Sequence, residues 1–228
     1  MNIWHDISPK RITPDDFFAV IEISKGDKNK YELDKETGML KLDRVLFTST
    51  HYPANYGFIP RTFADDGDPL DVLVLCSEKI LPMTLVECKP IGLLNMIDGD
   101  SRDEKIIAVP LNDPNYNTYN DIKDLPKHVF EEIQHFFAVY KSLEHGKETS
   151  VAEVSGAKKA KDFIVGKGWD HLDFATDSKE KGIMKLLEAP EALPSTIVLD
   201  TRGVVIYNAQ APLTLEKLEA LYQQALGT

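Results

Sequence analysis

Apolar and polar positions along this chain fall into two rhythms. Short runs dense in β-branched and aromatic residues fill the first half, and apolar residues three and four apart appear only later. Phe17-Phe18-Ala19-Val20-Ile21-Glu22-Ile23 reads as a strand, apolar almost throughout. Lys30 to Asp34 and Met39 to Phe47 read as the arms of a hairpin turned at Glu36-Thr37-Gly38. His51 to Pro60, with two prolines, one glycine and tyrosines at 52 and 56, reads as a rigid turn. Strand material resumes at Asp71 to Leu75, at Leu85 to Ile97 with a break at Pro90, and at Ile106 to Pro110. Residues 126 to 145 form one long amphipathic helix, with Pro126 in its first turn and Val129, Ile133, Phe136, Phe137, Tyr140 and Leu143 at helical spacing. Helix formers follow from Ala157 to Val165. A hairpin over 194–200 and 203–207 and a capped helix over 214–226 complete the pattern. No internal repeat interrupts it.

Size and charge narrow the possibilities. At 228 residues the chain holds one large domain or a domain with an appendage, and its composition of 43% hydrophobic and 28% charged residues is that of an ordinary globular protein. No apolar run approaches the roughly 20 residues of a membrane span, and Met1-Asn2-Ile3-Trp4-His5-Asp6 lacks the layout of a secretion signal, so a cytoplasmic protein is expected. The net charge of -11 argues against nucleic acid or an anionic membrane as partner and suits metal cations. Cys76 and Cys88 sit in apolar surroundings, which argues against a disulfide framework or a zinc cluster.

Candidate chemistry concentrates where polarity and strand pattern collide. Asp65-Asp66-Gly67-Asp68-Pro69-Leu70-Asp71 packs four carboxylates into seven positions and runs straight into the apolar Val72-Leu73-Val74-Leu75. Such a segment is either a solvated turn or a set of oxygen ligands for hard cations at the mouth of a buried strand. A second acidic loop, Asp98 to Lys105, also abuts a strand, which suggests a shared metal site. Glu22 near the end of an apolar strand is an edge residue or a buried acid in need of a partner. Alternation puts Lys30 and Glu32 on one face, where they either pair or meet a common ligand. Arg44 offers a fork of donors suited to phosphate oxygens, and a phenol such as Tyr56 donates without adding charge. The long helix would deliver the hydroxyl of Tyr140 and the ammonium of Lys141 to the same place.

Taken together, these segments resemble the soluble inorganic pyrophosphatases of the magnesium-dependent, OB-barrel family. The likeness runs from about Phe18 to Lys147 and rests on Glu22, Lys30-Tyr31-Glu32, Asp43-Arg44, Tyr52-Pro53-Ala54-Asn55-Tyr56-Gly57, the Asp66-Gly67-Asp68-Pro69-Leu70-Asp71-Val72-Leu73-Val74 signature, Asp98 with Asp103 and Lys105, and Tyr140-Lys141. It implies an α+β, mainly β fold: a five-stranded OB-type barrel with flanking strands and helices over 1–169, and a small C-terminal α/β appendage over 170–228. It further implies hydrolysis of pyrophosphate to two orthophosphates by a metal-activated water. Asp66, Asp71 and Asp103 would surround one tightly held ion, with Asp71 shared; Asp98, Asp103 and Glu32 would meet ions arriving with substrate. Lys30, Arg44, Tyr56, Lys105, Tyr140 and Lys141 would hold the phosphoryl groups, Asp68 would be the general base, and Glu22 and Tyr52 would support the site. Oxygen-only ligands favour magnesium, with manganese or another divalent ion as substitute. Prokaryotic members of the family tend to form hexamers, so the resemblance implies a homo-oligomer without fixing its order.

Rival readings meet specific obstacles. A calcium-binding module of the EF-hand type needs glycine at its sixth loop position and glutamate at its twelfth, but counting from Asp66 gives Asp71 and Ser77. A nucleic-acid-binding barrel would want aromatics among basic residues. A hydrolase of other polyphosphates or nucleoside polyphosphates stays open, because its phosphate-holding residues would look alike. The appendage weakly resembles the C-terminal half of thioredoxin-like folds, yet without a Cys-x-x-Cys pair a redox role is not expected.

Overall fold

The computed structural model describes residues 3, 7–34, 37–64, 68–99, 101–144, 149–167, 196–199, 205–209 and 220. The chain divides into two compact units, 1–173 and 174–228. In the second, Thr196–Leu199 and Val205–Ala209 pair antiparallel, in keeping with the hairpin read from the sequence, while the helix read over 214–226 lies outside the described residues apart from Ala220.

The first unit is built on strands β1 (Phe17–Ile23), β2 (Asn29–Leu33), β3 (Leu40–Val45), β4 (Asn55–Phe58), β5 (Asp71–Val74), β6 (Leu85–Asp98), β7 (Ser101–Pro110) and β8 (Thr149–Gly156). Its main sheet runs β1-β4-β5-β7-β6-β8, and a further pairing of β1 with β6 closes the first five strands into a ring. This is the mainly β, α+β architecture expected, with β2 and β3 as a separate hairpin beside it. Helix α1 covers Lys127–Val139 and α2 covers Ala157–Lys167.

Alternation along the strands explains why they read as unbroken apolar runs. Val72 and Val74 of β5 and Ile106 and Ala108 of β7 join one core with Ala160 and Ile164 of α2; Leu73, Ile107 and Val109 join another with Ile133, Phe136 and Phe137 of α1. Both faces of the ring are therefore covered by packed apolar residues.

Four local readings change. Residues 55–58, expected as turn, form β4, which lies so close to β1 that a Cβ on Gly57 would sit 1.8 Å from the Val20 carbonyl oxygen. Strand β6 does not break at Pro90; a register shift between Pro90 and Gly92 absorbs the missing N–H. The second acidic loop is a tight hairpin in which Asp98 already pairs with Ser101, so Asp103 and Lys105 lie on strand β7. Helix α1 stops at Val139, leaving Leu143 60% exposed in the turn beyond, and the mixed-polarity edge strand β8 gave no clear signal. Cys76 and Cys88 are free thiols, Cys88 fully buried.

The β2–β3 hairpin is tied to the ring by a buried acid. Glu22 is only 8% exposed, and its Oε1 accepts the backbone N–H of Leu33 at 2.7 Å. Burial pushes its pKa from an ordinary 4.5 to about 8, with the nearby Asp71 carboxylate adding to the rise and Leu33 opposing it. Between those two values the folded protein holds a proton that the unfolded chain releases, so this residue's contribution falls as pH rises from 4.5 to 8. Glu22→Gln keeps the acceptor for Leu33 and removes the titration. In chelator, thermal unfolding of the variant should track wild type near pH 5 and exceed it by on the order of 5 °C at pH 8; a pH-independent difference would refute the buried-acid account.

Candidate active site

Strand register assembles the site on the ring face that looks toward α1. Tyr56 opposes Leu73 across β4 and β5, Asp71 opposes Lys105 across the parallel β5–β7 pair, and Asp103 opposes Met96 across β7 and β6. Because side chains alternate, Asp71, Asp103, Lys105 and Asp98 share the parity of the α1-side core residues Leu73, Ile107 and Met96. Four strands, β4, β5, β6 and β7, thus deliver chemistry to one patch.

At its centre is Lys105, 2% exposed. Its ammonium donates to Asp71 Oδ2 at 2.6 Å, Asp103 Oδ1 at 2.7 Å and the Tyr56 hydroxyl at 3.1 Å, which uses all three of its protons. The ring of Phe137, from α1, lies 5.5 Å from the nitrogen. Tyr56 in turn donates to Asp71. Burial works against the charge on Lys105, but the facing Asp71 and Asp103 outweigh it and hold its pKa above the ordinary value. Burial raises the pKa of Asp103, and the carboxylates of Asp71 and Asp98 add to the rise while Lys105 opposes it. The phenols of Tyr56 and Tyr140 are pushed up by burial and then by neighbouring carboxylates, so both stay neutral donors.

The turn after α1 closes a second side. Tyr140 stacks on Phe136 with ring centres 5.2 Å apart, and Lys141 donates to Asp98. The β2–β3 hairpin supplies the third side. Lys30 pairs with Glu32 and lies 3.4 Å from Asp43; Arg44 donates from NH1 to Asp43 at 2.5 Å and from Nε to Glu144 at 2.8 Å. Burial disfavours the Arg44 charge, yet Glu144 and Asp43 more than compensate. Tyr52, fully buried, packs 5.4 Å from Tyr56 and 4.9 Å from Phe136.

The acidic stretch before β5 is pinned at its base. Thr62 Oγ1 donates to Ile59 and accepts from Leu70 N–H at 2.8 Å, and Ala64 N–H donates to the Asp68 carbonyl at 2.7 Å. Asp68 is exposed. Asp66 and Gly67 lie outside the described residues. Among the described residues no three acidic, histidine or cysteine side chains form a closed ligand group; Lys105 bridges Asp71 and Asp103 instead. Of the twelve remaining residues expected here, Tyr56, Asp71, Asp103 and Lys105 are joined directly, Asp98 joins Lys141, and Lys30, Glu32 and Arg44 form a hairpin group. Sequence reasoning passed over Glu144. Its signal was an acid four residues past Tyr140 at the end of the apolar helix stripe.

Comparison with known proteins identifies the family. A family model described as inorganic pyrophosphatase matches residues 19–168. The soluble inorganic pyrophosphatase 2 of Chlamydomonas reinhardtii is 49% identical over 161 residues, 71% of this chain and 83% of its own. The inorganic pyrophosphatase of Haloferax volcanii is 44% identical over 164 residues, 72% of this chain and 93% of its own. Among solved structures, the inorganic pyrophosphatase of Thermus thermophilus superimposes with a TM-score of 0.70 at 41% identity, covering 73% of this chain and 97% of that one. On a family match spanning most of the first unit and relatives at nearly half identity, the chain belongs to the inorganic pyrophosphatases.

Proposed function

We propose that this site hydrolyses inorganic pyrophosphate to two orthophosphates, with Asp68 as general base and divalent ions held by Glu32, Asp66, Asp71, Asp98 and Asp103. The observation that carries the reading is a buried ammonium flanked by two carboxylates and a phenol, with a second lysine and an arginine around it. With Glu32, Asp43, Asp98 and Glu144 counted beside Asp71 and Asp103, six carboxylates face the four cations Lys30, Arg44, Lys105 and Lys141, so repulsion would exclude a polyanion unless hard cations accompany it. The donor set fits such ions. It is all oxygen, and the raised pKa of Asp103 reflects the burial and carboxylate crowding that a cation would relieve. Magnesium is the expected ion; when bound, it would acidify a coordinated water and neutralise the leaving phosphate.

The chain's own groups perform the rest. Lys30, Arg44, Tyr56, Lys105, Tyr140 and Lys141 grip phosphoryl oxygens, and the neutral phenols add donors without adding charge. Water attacks one phosphorus, the bridging oxygen departs with the other phosphate, and Asp68 takes the proton the water gives up. Glu22 holds the hairpin that carries Lys30 and Arg44, and Tyr52 packs behind Tyr56. Assembly into a homo-oligomer and a cytoplasmic setting belong to the same proposal. Among the described residues no helix is long and apolar enough to cross a membrane. The second unit, 174–228, is proposed as an appendage dispensable for chemistry, since every site residue lies before it.

Phosphate release from pyrophosphate should stop in chelator and return with magnesium, and should exceed release from ATP; hydrolysis indifferent to chelator would refute the site. Asp68→Asn should bind metal yet lose turnover by roughly 100-fold or more, and retention of near-wild-type turnover at neutral pH would remove Asp68 from its role. A chain ending at Asp173 should turn over pyrophosphate within about twofold of the full chain; a collapse of activity would give the second unit a part in the reaction.

A further inference from the structure

Two of the three nitrogens of the Arg44 guanidinium have hydrogen-bond partners. Nε donates to Glu144 and NH1 to Asp43, whereas NH2 is buried and has no hydrogen-bond partner. A buried charged donor without an acceptor is costly, so its persistence marks the direction from which an anionic oxygen comes. Glu144 itself is buried, its side chain 6% exposed, and it reaches Arg44 across a hundred residues of sequence. Its backbone N–H donates to the Lys141 carbonyl at 2.8 Å, which closes the turn that also carries Tyr140 and Lys141.

A carboxylate beside an anion-binding arginine weakens the local positive field, so attraction of substrate does not explain Glu144 there. Orientation does. The guanidinium is a rigid planar fork, and fixing Nε–H fixes where NH2 points. We propose that Glu144 is a positioning residue, which locks Arg44 from the turn after α1 so that NH2 meets a phosphoryl oxygen of pyrophosphate in register with Tyr140 and Lys141. The inference rests on the reading of Arg44 as a phosphate-holding residue. It adds a coupling: the hairpin and the α1 turn, which form different walls of the site, share one geometry through this pair.

Steady-state hydrolysis of pyrophosphate by the magnesium-loaded enzyme separates charge from position. Glu144→Gln retains an oxygen that can accept Nε–H; Glu144→Asp retains the charge on an arm one methylene shorter. The Gln variant should keep KM within about twofold of wild type, while the Asp and Ala variants raise it about tenfold with kcat changed less. In an Arg44→Ala background, Glu144→Ala should add less than about twofold to KM. Equal and independent KM increases in the two backgrounds, or an Asp variant like wild type with a Gln variant impaired, would overturn the proposal. So would Asp and Ala variants that lower the unfolding temperature and leave KM unchanged. Wild-type protein without turnover would instead sink the underlying reading of the site, which keeps the two failures apart.

Discussion

Everything in the first unit bends around the placement of one ammonium inside the fold. Lys105 is buried between Asp71 and Asp103, and neither the lysine nor the acids could be tolerated there alone, because a desolvated charge without a partner costs several kcal/mol. The ring supplies the tolerance. Parallel pairing of β5 with β7 sets Asp71 directly opposite Lys105, and alternation puts Asp103 on the same face two residues earlier. Hydrophobic packing by α1 on that face then shuts out water and strengthens each interaction.

From this centre the site extends by shared partners rather than by a continuous wall. Tyr56 reaches Asp71 from β4, Lys141 reaches Asp98 from the turn after α1, and Arg44 reaches Glu144 from the hairpin. Each link ties a different element to the next. The result is a cluster whose polar groups are held by charged hydrogen bonds, which are directional, and backed by aromatic packing, which is not. Such a division suits phosphoryl transfer, where positioning and charge stabilisation make up most of the catalytic effect.

Glu22 belongs to the same design from outside the centre. A buried carboxyl with a pKa near 8 is a weak point in stability terms, yet it is the group that receives Leu33 and so docks the hairpin carrying Lys30 and Arg44. Strained electrostatics and site architecture meet in one residue. The same holds for Glu144, a carboxylate buried beside Arg44 although its negative charge would repel an anionic substrate.

Much of this was legible along the chain. Strand β1, the run after Asp71 and the helix over the face of the ring follow from periodicity, because burial on two faces or on one stripe leaves a compositional trace. The acidic signature and its lysine, arginine and tyrosine companions were legible as a motif resembling that of the inorganic pyrophosphatases, although each residue type taken alone also suits a solvated turn or a surface ion pair. What the linear pattern hid was local and cooperative. Residues 55–58 look like a turn, and become a strand because Gly57 lets β1 approach; Pro90 looks like a break, and is absorbed by a bulge; Asp103 and Lys105 look like loop, and lie on a strand because the hairpin turns early, with Asp98 already paired to Ser101. Residue identity by itself determined what chemistry the protein could perform. Only the tertiary structure decided which acid faces which cation, Asp71 and Asp103 to Lys105, Asp98 to Lys141, Glu144 to Arg44, since those pairings join residues 2 to 100 positions apart and depend on strand register, to which sequence spacing is blind.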